Sequence, residues 1–393
     1  MLISIALILL VGMMMGWVCK RLKLPSLIGM IFTGILLGPY VLNLIDGSLL
    51  NISADLRKIA LIVILTRAGL TLDIKDLKKV GRPAVLMCFL PACFEIAGML
   101  LLAPRLLGVS LTDAAIMGAV VAAVSPAVIV PKMIRLIEQG YGTQKGIPQM
   151  ILAGASVDDV FVIVLFTAFL GMAQGEAVSA ARFFLVPVSI LAGMAAGLLT
   201  GILLAKYFEK VHVRDTVKVM IILCISFILV FIEDAYSSVI PFSGLIAVMG
   251  LGIALQKKRL MVAQRLSVKF SKLWVVAEIL LFVLVGATVD LSYAAGAGAR
   301  AVALIFGVLL FRMAGVYFCL AGTGFHWKEK LFCAFGYLPK ATVQAAIGGI
   351  PLSAGLACGN LVLTVAVLSI LITAPLGAFL IEAFHGRLLE KDD

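Results

Sequence analysis

Residues Ala119–Met133 read AVVAAVSPAVIVPKM, an apolar run with Ser125 and Pro126 at its middle. Residues Phe335–Gly349 read FGYLPKATVQAAIGG, a second such run with Pro339 and Lys340 in its first half. Proline removes a backbone N–H and clashes with the preceding turn, so each run predicts a helix broken midway. In lipid the freed carbonyls are tolerated only when buried in protein or lining a water-filled cavity. The matched pair therefore predicts two discontinuous helices crossing near a bilayer midplane, where half-helix ends can meet a charged ligand.

Composition supplies the bilayer. The chain has 393 residues, is 63% hydrophobic and only 13% charged, and its mean hydropathy is +1.16. A water-facing surface needs about twice that share of charge. About thirteen spans of roughly 20 residues are expected, joined by short connections, with no room for a separate soluble domain. They are placed near 2–19, 26–45, 56–72, 83–103, 113–133, 148–173, 183–205, 216–234, 239–255, 271–289, 300–321, 329–350 and 360–384. Lys and Arg gather in alternate connections, as in Lys75, Lys78, Lys79 and Arg82, or Lys257, Lys258 and Arg259. Intervening connections hold single residues such as Arg105, Arg182 and Arg300. This bias puts the N-terminus outside and the C-terminus in the cytoplasm. The net charge of +11 is thus a topology signal and not a nucleic-acid surface. The first apolar run lacks a preceding basic segment and is read as a retained helix. The seven cysteines and three histidines form no CxxC pair or metal-ligand cluster, so neither disulfide nor bound metal cofactor is expected.

The chain repeats itself. Gly69, Thr71 and Asp73 end the third span as GLTLD, and Gly286, Thr288 and Asp290 end the tenth as GATVD, 217 positions later. Pro25, Gly29 and Gly34 recur at nearly the same offset as Pro241, Gly244 and Gly250. The first six spans (residues 1–174) then map onto the last six (215–393), leaving a linker helix in 175–214. An offset of seven spans reverses the second copy, giving an inverted-topology repeat. A core domain and a dimerisation domain would each draw on both repeats. Gly193, Gly197 and Gly201, like Gly12 and Gly16, permit close helix packing, within a protomer or between two.

Charges inside apolar spans carry the chemistry. Asp158 and Asp159 interrupt ILAGASVDDVFVIVLFTAFLGM, where one buried charge costs about 2.5–3.5 kcal/mol on insertion scales. Neighbours on a helix point about 100° apart, so one can face a cavity while the other faces a partner. Ser156 lies on nearly the same face as Asp159 and is available as an oxygen ligand. Out of water a carboxylate yields its charge more readily, so a proton and a bound cation compete for it. Glu95 and Arg312 also differ by 217 positions and are expected to meet as a bracing ion pair across the pseudo-two-fold. Lys340 is positioned to offset the carbonyl ends of half-helices. Three carboxylates against two cations leave one negative charge, which suits one monovalent cation or one proton.

The strings RAGLTLDIKDLKKV, AVSPAVIVPKM, GYGTQKGIPQMILAGASVDD and KEKLFCAFGYLPKATVQAAIGG, in that order over most of the chain, resemble the monovalent cation:proton antiporter superfamily. The likeness is greatest to its NHA-type sodium/hydrogen exchanger branch. The resemblance implies an NhaA-like fold with a six-helix core and crossed discontinuous helices, working as an elevator. It implies exchange of Na+ or Li+ for protons, with Asp159 as principal carboxylate, Asp158 beside it, and Ser156 and the Val124 backbone as further ligands. It also implies a Glu95–Arg312 ion pair, Lys340 at the crossover, and a homodimer joined by the helices that open each repeat. Electrogenic relatives place a lysine where this chain has Arg312, so the resemblance leaves the proton stoichiometry open. No cytoplasmic nucleotide-binding domain and no cofactor are expected.

Other classes fit less well. An intramembrane aspartyl protease needs two aspartates facing each other across helices, not adjacent on one. A K+/H+ antiporter or a sodium-coupled organic-anion carrier of related fold is the nearest alternative, and a channel or cation sensor a more distant one. Short connections favour a prokaryotic cytoplasmic membrane.

Overall fold

The computed structural model describes residues 1–22, 24–71, 81–174, 180–236 and 242–391, without the side chains of 156, 160, 180–187, 234 and 291–297. Asp73, Pro241 and the Ser156 side chain lie outside the described residues. The described chain is helical: α1 Leu2–Arg21, α2 Ser26–Leu37, α3 Gly47–Asn51, α4 Ser53–Thr71, α5 Arg82–Met87 and α6 Leu90–Leu107 come first. Then follow α7 Leu111–Ala122, α8 Pro126–Glu138, α9 Ile147–Ala173, α10 Ala180–Lys210, α11 Asp215–Tyr236 and α12 Gly244–Lys258. The last six are α13 Leu260–Ala287, α14 Leu291–Cys319, α15 Trp327–Gly336, α16 Thr342–Ile347, α17 Ile350–Ser353 and α18 Gly359–Leu388.

Every expected span has a helical counterpart, but nine stretches among the described residues are long and apolar enough to cross a bilayer. The other four differ for separate reasons. Helix α2 ends at Leu37, where Gly38 turns extended, so the span expected near 26–45 is cut short. Helix α12 has 15 residues. Helix α4 carries Asp55, Arg57, Lys58 and Arg67, and the segment near 329–350 is broken into α15, α16 and α17. In the opposite direction α13 begins at Leu260, well before the expected 271. Its first turns hold Arg265, Lys269 and Lys272, which end an apolar run without ending a helix, because Lys and Arg are good helix formers.

The chain forms two compact units, one of residues 1–54, 75–175 and 279–393, the other of 55–74 and 176–278. In the first, α2 and α13 touch backbone to backbone. A Cβ on Gly34 would fall on the Val283 carbonyl, and one on Gly286 on the Ile31 carbonyl. In the second, Gly69 of α4 lies against the Met249 carbonyl and Gly252 of α12. These two crossings correspond to each other at the offset that relates the repeats. Glycine is required at them because there is no room for a side chain.

The glycine stripes pack against other helices of the same chain. Gly193, Gly197 and Gly201 of α10 face the carbonyls of Ser243, Ala247 and Leu251. Gly12 meets Ile279 and Val283, and Gly16 meets Ser26 and Met30.

The carboxyl end is strapped to the first unit. Leu388 and Leu389 are buried in an apolar cluster with Leu136, Ile147, Met150 and Phe332, and the Gly142 N–H donates to the Glu390 carbonyl at 2.8 Å. Glu382 of α18 takes Lys132 at 3.1 Å and Arg135 at 2.9 Å. Lys145 reaches Glu329 at 2.8 Å, and this bond holds the ammonium above its ordinary pKa.

Gly34→Ala and Gly69→Ala should each destabilise the detergent-purified protein by the overpacking cost of about 1–3 kcal/mol, read as a lower Tm. Gly47→Ala, with open space around its Cβ, should leave it unchanged. Equal Tm values for all three variants in a thermal-shift assay would contradict the close helix approach.

Candidate functional site

Helix α7 stops at Ala122, Ala123 (φ −68°, ψ 142°) and Ser125 (φ −89°, ψ 111°) are extended, and α8 restarts with Pro126 as its first residue. That position suits proline, whose missing N–H would have no intrahelical partner there. The second break runs from Tyr337 to Ala341, between α15 and α16. The two breaks touch: the Ser125 N–H donates to the Pro339 carbonyl at 2.8 Å. The Lys340 N–H is taken by Thr373 Oγ1 of α18 at 2.9 Å.

Arg312 of α14 sits beside this crossing with its side chain fully buried. Its Nη1 donates to Glu95 Oε2 at 2.7 Å and to the Ala122 carbonyl. Its Nη2 donates to Asp158 Oδ2 at 2.9 Å, and its Nε to the Tyr337 carbonyl at 2.7 Å. One guanidinium thus binds two carboxylates and the open carbonyl end of each broken helix. Asp158 Oδ2 also accepts the Val124 N–H at 2.9 Å.

Lys340 does not turn to the helix-end carbonyls, as its place in the sequence suggested. Its Nζ donates to Glu95 Oε2 at 2.6 Å. The carbonyls go to Arg312 and to Gln344, whose Nε2 donates to Ala123 O at 2.8 Å and Val121 O at 3.1 Å. Sequence reasoning did not single out Gln344. The signal available was an amide in an otherwise apolar half-helix, a polar group that needs partners.

Asp158 and Asp159 separate as adjacent positions on a helix must. Asp158 is bound into the network, whereas no described side chain hydrogen-bonds to Asp159, which is 5% exposed. Around the crossing six buried oxygens have no hydrogen-bond partner among the described residues. They are Glu95 Oε1, Ser125 Oγ, Asp158 Oδ1, Asp159 Oδ1, Thr342 Oγ1 and Gln344 Oε1. Glu95, Asp158, Arg312 and Lys340 cancel in charge, so Asp159 is the one carboxylate of the group left uncompensated. Oxygen ligands with one excess negative charge have the chemistry to take a hard monovalent cation, or a proton in its place. No cluster of three or more His, Cys, Asp or Glu able to hold a metal ion occurs among the described residues.

Comparison with known proteins bears on this geometry. The family model described as "Sodium/hydrogen exchanger, transmembrane" matches residues 5–384. Sodium/hydrogen exchanger 9B2 of Mus musculus is 36% identical over 386 residues, covering 94% of this chain and 69% of that protein. The Xenopus tropicalis protein of the same name is 33% identical over 401 residues, covering 96% and 73%. Among solved structures, the sodium proton antiporter MjNhaP1 of Methanocaldococcus jannaschii superposes with a TM-score of 0.86 at 20% identity, over 98% of this chain and 97% of that one. That likeness establishes the fold.

Arg312→Ala would leave Glu95 with Lys340 alone, Asp158 with the Val124 N–H alone and the Ala122 and Tyr337 carbonyls without their donor, a loss expected to cost about 3–5 kcal/mol and to deplete the monodisperse peak in size-exclusion chromatography. Asp159→Asn removes a charge that no described side chain pairs with, and should leave that peak and the Tm unchanged or improved. Equal damage from both would make Asp159 a structural member of the network.

Proposed function

The chain belongs to the sodium/hydrogen exchanger family of multi-pass membrane antiporters, and from that premise we propose that it exchanges Na+ or Li+ for protons at Asp159. The observation that carries the reading is the contrast between the two aspartates: Asp158 has an arginine partner and Asp159 has none. A bound cation and a bound proton each neutralise Asp159, and they exclude one another. Ser125, Asp158, the Val124 backbone and the Ser156 side chain are assigned as further ligands or positioning groups, while Glu95, Arg312 and Lys340 hold the crossing.

The same contrast supports a stoichiometry. Arginine keeps its charge at any physiological pH, so the Asp158–Arg312 pair has no proton to exchange. With Lys340 held as an ammonium by Glu95 at 2.6 Å, one cation then replaces one proton, and the cycle moves no net charge. Direct bonds tie Glu95, Val124, Asp158, Arg312 and Lys340 together, so an elevator-type alternating access can carry the site as one body. The alternating Lys and Arg pattern supports an external N-terminus and a cytoplasmic C-terminus, the short connections a prokaryotic cytoplasmic membrane, and family resemblance a homodimer.

Everted vesicles from a host lacking its own sodium antiporters provide the test, with a ΔpH-sensitive dye and additions of Na+, Li+ or K+. Na+ or Li+ should dequench the dye, and Asp159→Asn should cut the rate by more than about tenfold. Collapsing the membrane potential with a permeant anion should leave the rate unchanged, whereas acceleration would mean net charge moves. A response to K+ alone would replace the cation assignment, and no response from folded protein would end the exchange reading.

A further inference from the structure

The first broken helix presents an energetic problem that the exchange reading leaves unaddressed. The last carbonyls of a helix have no intrahelical partner, and here Ala122, Ala123 and Val124 are fully buried, out of reach of bulk water. Val121 and Ala123 are both served by the Nε2 of Gln344, at 3.1 and 2.8 Å. The Gln344 side chain is itself fully buried. Its orientation is set by chemistry: a flipped amide would point its oxygen at two carbonyl oxygens. With both N–H groups committed, Oε1 remains among the unpartnered oxygens at the crossing.

The position of those two carbonyls matters because of the residue that follows. Val124 gives its N–H to Asp158 Oδ2 at 2.9 Å, and Ser125 gives its N–H to Pro339 at 2.8 Å. The extended stretch from Ala123 to Ser125 is therefore fixed by three bonds, one of which is the Gln344 amide. We propose that Gln344 is a positioning residue of the cation site, its amide pinning the open end of α7 so that the backbone at Val124 and the Asp158 carboxylate hold the geometry that binds the ion. This rests on the exchange reading of the same site. It departs from a mere filler of a helix end in one respect: loosening the amide should weaken cation binding more than it weakens the fold.

The variants are Gln344→Met, close in size but without donors, and Gln344→Asn, which keeps the amide on an arm one methylene too short. Purified wild type and variants are titrated with NaCl, with choline chloride holding ionic strength constant, and the cation-dependent rise in Tm gives an apparent Kd. Exchange in proteoliposomes gives KM and kcat separately. Both variants should raise Kd and KM by about tenfold or more, with kcat within about twofold. A lower cation-free Tm with unchanged Kd and KM would overturn the proposal and make Gln344 a structural plug. If Gln344→Met does not fold, Gln344→Asn decides by the same criteria. A wild-type protein that neither gains stability from Na+, Li+ or K+ nor exchanges them would sink the exchange reading and this inference together, which separates that failure from one in which only the variants behave as wild type.

Discussion

The arrangement depends on a constraint imposed by lipid: a helix interrupted at membrane depth must find partners for backbone groups that water would otherwise satisfy. Two helices are interrupted here, and each relies on residues from the other half of the chain. The end of α7 gives its carbonyls to Arg312 and Gln344, both from the second repeat. The end of α15 gives the Tyr337 carbonyl to the same Arg312, and the Pro339 carbonyl to the Ser125 N–H. Neither break is self-sufficient: each takes at least one partner from the other half of the chain. Glu95 and Asp158 then balance the arginine's charge and aim its guanidinium.

A buried ion cluster of this kind is weak evidence for stability, since desolvating its members costs about what their attraction returns. Its use is in the remainder it leaves. With Glu95, Asp158, Arg312 and Lys340 balanced, the group as a whole carries the charge of Asp159 alone. In the proposed cycle the ion-loaded and proton-loaded forms are both neutral across the group, whereas the empty ionised form carries a bare buried charge. That penalty disfavours movement of the empty site, which is the condition for exchange rather than leak.

The parts legible in the sequence were those with a period or a symmetry behind them. Lipid as solvent followed from composition, and the two breaks from Pro126 and Pro339. Glu95 and Arg312 stood out because a two-fold axis brings equivalent positions together. The rest depended on which way a side chain turns. Nothing in the spacing sent Arg312 on to Asp158, or Lys340 to Glu95 instead of to a carbonyl. Span ends were misjudged where polarity and helicity part company, as in the basic first turns of α13 and the early stop of α2 at Leu37. The glycine stripe at 193–201 announced close packing but not its partner, because a glycine surface is specified by what it admits and carries no group of its own to match.

The identity of residue 312 follows from geometry before it follows from charge. Its three nitrogens reach four acceptors that lie in different directions: two carboxylates and the carbonyls of Ala122 and Tyr337. A guanidinium can do this because its five N–H groups fan out in a plane, whereas an ammonium directs three donors from one point. A lysine there, with three donors, would leave at least one of the four acceptors unserved. It would also introduce a group that can release its proton when desolvated. In the proposed cycle, crossing architecture and proton stoichiometry are therefore coupled through one side chain: the fixed charge that closes the broken helices, with Lys340 held as an ammonium by Glu95, leaves the exchangeable proton to Asp159.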